Sequence, residues 1–321
     1  MTAVATEWPA LLAAARSAWA DGRWHEALQL CDRAALAGTD GRRQAALLRG
    51  DILLECGDAA GALSSFDSVA HPADVDAELD CARGLALFEL ARLAEAENAL
   101  QSALRGNDRQ AAAHYGLGLI YELLGNGQEV AYFRQARRLA PDRYPAAPRL
   151  AAATFAALVE QAAGLLPPLL QEAMRRLPVL VTELPHPADL RRQEPPLSPQ
   201  VLGMHVAVHA GPSEDTYAGA QEQPAVLLFK RNLERACPER EALVAEIRAT
   251  LQHELSALLG LQEGALEGQP PSAPAAAGTA AGMAAAVEPA AALRAETETE
   301  PQAERPARAL VAVPSPKARE P

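Results

Sequence analysis

Aromatic residues are scarce, 4% of a 321-residue chain that is 49% hydrophobic. Burial must therefore rest on Ala, Leu and Val, a composition suited to helices that approach closely through small side chains. Positive charge is not in excess either, since the formal net charge is -12. That argues against sequence-independent nucleic-acid binding, which needs a basic surface to displace counterions from phosphate. No run of about 18 apolar residues is present to span a bilayer, and the first residues lack the basic-then-apolar pattern of a secretory leader. The expectation is a cytoplasmic protein with neither a nucleic-acid nor a membrane partner. The four cysteines, Cys31, Cys56, Cys81 and Cys237, form no C-x-x-C pair. Three fall at apolar positions of predicted helices, and they read as reduced core residues.

What the chain does have is a period. Comparable turns begin at Gly22, Gly57, Ala91 and Gly125, spaced by 35, 34 and 34 residues. In phase with them stand Gly84 and Gly118 in predicted first helices, with Phe66, Leu100, Phe133, Ala34, Ala103 and Ala136 in second helices. The last second helix fits if one residue has been deleted after Gly125, and Pro141 closes the array. Small residues where paired helices meet, with larger ones filling the groove between hairpins, are what stacked helical hairpins require. The pattern resembles the tetratricopeptide repeat and implies an α-helical solenoid over residues 1–145. Such an array implies a protein or peptide partner held in a groove. Trp8, Trp19 and Trp24 read as a cap on the first hairpin, with Trp24 at its large-residue position. Arg137, Arg138 and Arg143 read as solvated residues complementing a helix C-terminus.

From Pro148 the period disappears. Ala152 to Arg176 reads as helix broken at Pro167-Pro168, Pro178 to Leu184 as a strand, and Leu202 to His209 as a short strand or extended loop. Pro224 to Glu234 reads as a strand running into a turn. A final helix follows, with Pro238 and Glu239 in its first turn and Leu243, Val244, Ile247, Leu251, Leu255 and Leu258 forming an apolar stripe. A second domain over residues 148–268 is expected.

On that helix His253 and Glu254 are followed by Ala257, Gly260 and Glu263. Two imidazoles one helical turn apart, with a glutamate beside the first, hold zinc and activate its water. Here the second imidazole is missing. Together with Leu228-Phe229-Lys230-Arg231-Asn232-Leu233-Glu234-Arg235 and the upstream loop Glu194 to Gly203, the helix resembles the minimal zincin-like metallopeptidase family. The resemblance implies a small α+β zincin-like domain, with His253 as a zinc ligand, Glu254 as general base and Glu263 as a further ligand. It implies nothing at Ala257. Zinc binding is expected to be weak or absent, and the domain is expected to be catalytically degenerate. The alternative is an active zinc metallopeptidase whose repeats recruit protein substrates. His205 and His209, spaced H-x-x-x-H, and His186 are candidate replacement ligands. His253 is expected to share a polar-to-small face with Glu246, Thr250 and Ala257, lining a cleft under the preceding strand.

Residues 269–321 turn to Ala, Pro and Glu, with nine prolines and no aromatic residue. Such a segment buries too little apolar surface to offset its conformational entropy, and a disordered tail is expected.

Overall fold

The structure, a computed structural model, describes residues 7–70, 76–209, 222–261 and 311–312. It divides into two units. The first holds the described residues up to Ala146 together with His186–Gln200, and the second holds Ala147–Pro185 and those from Val201 onward.

The helical unit is built from four hairpins: α1 (Trp8–Ala20) with α2 (Trp24–Ala35), α3 (Thr39–Glu55) with α4 (Ala59–Asp67), α5 (Ala77–Glu89) with α6 (Leu93–Gly106), and α7 (Ala111–Leu124) with α8 (Glu129–Leu139). The sequence period is a backbone device. At each turn one residue enters the left-handed region, Gly22 at φ 74°, Gly57 at 81°, Ala91 at 55° and Gly125 at 64°. The next N–H then reaches back five residues, from Arg23 to the Ala18 carbonyl, Asp58 to Leu53, Arg92 to Leu87 and Asn126 to Tyr121. This closure satisfies carbonyls that a helix end leaves unpaired, and it favours glycine because a left-handed residue has no room for Cβ. Ala91 adopts the same turn at a steric cost.

The other periodic positions explain how the hairpins close. A Cβ on Gly50 would lie 2.1 Å from the Phe66 ring, one on Gly84 2.6 Å from Leu100, and one on Gly118 2.7 Å from Phe133. Each glycine is the floor on which the large residue of the following helix sits. The Gly118–Phe133 contact confirms the one-residue deletion. Ala27, Ala62 and Ala96, each fully buried, set the close approach of the second helices.

Trp24 departs from expectation. It starts α2 at 36% exposure, while Cys31, 0% exposed, occupies the place that Phe66 takes one repeat later. The first hairpin thus uses a thiol inside, with Trp8 and Trp19 packing against the Leu12, Ala15 and Cys31 cluster. Cys81 is also buried, whereas Cys56 is exposed at the end of α3 and does not serve the core.

The chain continues as α9 (Ala152–Gly164), α10 (Pro168–Met174), β1 (Val179–Thr182), α11 (Pro187–Leu190), β2 (Gly203–His209), β3 (Glu222–Phe229), α12 (Lys230–Ala236), α13 (Arg240–Leu258) and β4 (Val311–Ala312). Apart from α11, which packs in the helical unit, these form the second unit. Its sheet runs β2-β3-β1-β4. β1 is parallel to β3, with Val179 opposite Val226, and β2 is antiparallel to β3, with Gly203 opposite Leu228. The core joins Phe155, Leu158 and Val159 of α9 to Val226 and Leu228 of β3 and to Leu243, Ile247, Leu251 and Leu255 of α13.

One sequence expectation is corrected here. Lys230 to Ala236 is a helix rather than a turn, because its side chains find buried partners, described below. Within 269–321, Val311–Ala312 pairs antiparallel with β1; the rest of that stretch lies outside the described residues.

Candidate functional site

The apolar stripe of α13 fixes which residues meet the sheet. Leu243, Ile247, Leu251 and Leu255 point into the core, and Thr250 and Glu254, one turn apart on its flank, are buried beside them. β2 crosses this flank. Gly203 is the point of closest approach, where a Cβ would stand 2.6 Å from Thr250 Cγ2 and 3.0 Å from the Leu227 carbonyl oxygen. Any side chain at 203 would push strand and helix apart. Two residues on, His205 Nδ1 lies 2.8 Å from Glu254 Oε2, where a ring N–H donates to the carboxylate. The Glu254 side chain is 11% exposed and the imidazole 47% exposed. The carboxylate is thus recessed under the edge strand, and His205 covers it from the solvent side.

The face expected to line the cleft is corrected by this arrangement. His253 and Ala257 are exposed, Glu246 is half-buried, and it is Thr250 with Glu254 that meets β2. A rotation of 100° per residue puts Glu254 on the sheet side of the helix and leaves His253 beyond it. Gly260, at φ 64°, ends α13 with the same left-handed closure as the hairpins, Leu261 N–H donating to the Ser256 carbonyl.

The other candidate ligands are scattered. His186 belongs to the helical unit and caps α11, its Nδ1 accepting from Ala188 N–H at 3.3 Å. His209 ends β2, with its side chain outside the described atoms. Glu263 lies outside the described residues. Among the described residues no three His, Cys, Asp or Glu side chains converge as metal ligands. A catalytic zinc takes three protein ligands and a water. The described residues do not fit that set: Ala257 offers a methyl group one turn beyond His253, and Glu254 is occupied by His205.

The segment after β3 that carried part of the family resemblance is a buried polar knot. Glu234, 0% exposed, accepts from Leu150 N–H at 2.8 Å and pairs with Lys230 at 3.2 Å and with Arg231. Arg231 also donates to the Pro148 carbonyl at 2.8 Å, and its own N–H donates to the Glu183 carbonyl. Asn232 donates to the Val201 carbonyl at 2.7 Å. One short helix thereby ties down the start of the unit, the end of β1 and the entry to β2. Each buried charge has a partner, as burial demands.

In the helical unit, a cavity of about 390 Å³ opens between α1 and α3, with Trp8 and Leu12 as apolar wall and Arg16, Asp40 and Arg43 as charged rim. Arg43 is held by Asp76 at 2.7 Å and Glu78 at 2.8 Å. Asp51 of α3 is half-buried, and burial with the Glu78 charge pushes its carboxyl from the ordinary 3.8 up to about 8, against the pull of Arg143 and Arg16. A raised folded-state value makes this contribution fully present below the unfolded value and lost as pH rises through about 8. Parent stability should therefore fall between pH 6 and pH 9, and Asp51→Asn should flatten that fall. Urea midpoints read by tryptophan fluorescence suit the test, because Trp8, Trp19 and Trp24 all lie in α1 and α2. A parent midpoint constant over that range would refute it.

Residues 174–269 match the zincin-like metallopeptidase family model. Two solved structures resemble the helical part. The MamA protein is 22% identical over 44% of this chain and 75% of its own, with a TM-score of 0.37. YrrB, described as a TPR protein with an unusual peptide-binding site, is 20% identical over 42% and 70%, with a TM-score of 0.34. No curated protein matches the chain. The chain joins an array of four helical hairpins to a segment that matches the zincin-like family model. Among the described residues no helix is long and apolar enough to cross a membrane.

Proposed function

We propose that the chain is a protein-interaction adaptor, in which the helical array holds a peptide segment of a partner and the zincin-like segment has lost peptidase activity. The observation that carries the second half is the state of the glutamate beside His253. In a working site that carboxylate takes a proton from zinc-bound water. Here Glu254 is bonded to His205 under β2, and the next turn of the helix presents Ala257 instead of an imidazole. The array half is supported by its repeat architecture, which generates extended binding surfaces, and by the cavity between α1 and α3.

The test is metal stoichiometry on the full chain. The parent should hold well under one equivalent of zinc and show no chelator-sensitive cleavage of an unstructured peptide, whereas Ala257→His should raise zinc content toward one equivalent. A parent that carries a full equivalent and cleaves peptide, with Glu254→Gln abolishing cleavage while the metal stays bound, would overturn the degenerate reading in favour of an active metallopeptidase.

A further inference from the structure

Residues 186–200 fall inside the zincin-like sequence match, yet they pack in the helical unit. Their contacts centre on Glu89, the last residue of α5, which is 9% exposed. Two neutral side chains of the segment meet this carboxylate: Gln200 Nε2 donates to Oε1 at 2.6 Å, and the Ser198 hydroxyl donates as well. Ser198 Oγ in turn accepts from Gln200 N–H at 3.0 Å, a tight serine turn that aims both side chains at one carboxylate. Leu190 is 0% exposed and Pro199 is buried, while Leu197 N–H donates to the Leu190 carbonyl at 3.0 Å and closes the segment on itself.

The repeat supplies its own control. One period earlier, Glu55 ends α3 at the position equivalent to Glu89, and it is only half-buried. Burial pushes the Glu89 carboxyl up, and the hydrogen bonds from Ser198 and Gln200 oppose that push. A buried carboxyl is costly unless it is hydrogen-bonded. The third repeat therefore has a carboxylate whose burial and satisfaction both come from the 186–200 segment.

We propose that residues 186–200 are a built-in ligand of the helical array, docked at the end of α5 through Ser198 and Gln200 on Glu89 with Leu190 and Pro199 as apolar anchors. While docked, the segment withholds the Glu89 subsite from other peptides. A competing partner is an extended segment carrying a hydroxyl and an amide two residues apart, with a proline between them.

The test uses the full chain and two readouts. In Ser198→Ala/Gln200→Ala, amide hydrogen exchange across residues 186–200 should rise about tenfold, the loss expected from one or two hydrogen bonds, while exchange in α1 to α4 stays unchanged. A fluorescent peptide with the sequence of residues 186–200 should bind this variant about tenfold more tightly than the parent. Glu89→Ala introduced into the variant should remove that binding, and Glu89→Gln, which keeps an acceptor oxygen, should restore part of it. The proposal rests on the adaptor reading for the capacity of the array to hold a peptide, and the two fail differently. Unchanged exchange in the double variant overturns the docked segment itself; faster exchange without peptide uptake overturns the array as a peptide receptor and, with it, the ligand role.

Discussion

Glu234→Ala should destabilise the second unit by about 3–5 kcal/mol, the cost of leaving a buried charge without its counter-ion. Arg231, with a side chain 6% exposed, loses its acidic partner and cannot reach water, while Lys230, 7% exposed, is left with Glu183 at 3.2 Å. Leu150 N–H loses its acceptor at the same time. The check is a urea titration followed by far-ultraviolet circular dichroism and by tryptophan fluorescence in parallel. The dichroism should acquire an early transition from the second unit, and the fluorescence, which reports only α1 and α2, should hold its midpoint. Movement of both signals together would refute separate unfolding of the two units, and movement of neither would refute the knot.

Phe66→Ala should cost the helical unit about 3–5 kcal/mol, the usual range for deleting a buried ring. Phe66 is fully buried over Gly50, which has no side chain to relax into the space. With a urea slope of about 2 kcal/mol per molar, the fluorescence midpoint should fall by about 2 M. Gly50→Ala alone is also destabilising, since its Cβ would stand 2.1 Å from the ring. In the Phe66→Ala background the same methyl fills part of the void and should recover stability. A double-mutant cycle with no coupling would show that the two positions do not share one packing site.

These residues also show where sequence was a sufficient guide. Gly22, Gly57, Ala91 and Gly125 were visible as a period because a left-handed turn imposes a local demand that composition records directly. Gly84 and Gly118 were visible for the same reason, through close approach. Trp24 was misplaced because volume was taken as a sign of burial, whereas register with Phe66 points to Cys31. In the zincin-like segment the apolar stripe of α13 was legible from spacing, but the neighbours of Glu254 were not. His205 comes to it from 49 residues away, through a strand pairing that no helical wheel contains. The roles of Arg231, Asn232 and Glu234 were hidden likewise: their partners at Pro148, Leu150 and Val201 are fixed by the tertiary fold alone. A helix in which Lys230, Arg231 and Glu234 are all buried contradicts the local rule that charged residues face water, and this contradiction is the signal that could have marked it.

The division of the chain has a consequence for its synthesis. The helical unit draws its last described segment from residues 186–200, after the chain has already passed through Ala147–Pro185 of the other unit. Four hairpins emerge from the ribosome before Ser198 and Gln200 exist to meet Glu89. Completing that contact waits for translation from residue 146 to residue 200, roughly 3 to 11 seconds at about 5–20 residues per second. During that interval the Glu89 carboxylate at the end of α5 has neither Ser198 nor Gln200 to bond it. If the segment masks the array as proposed, the nascent array is then open to other proteins in a way that the finished chain is not.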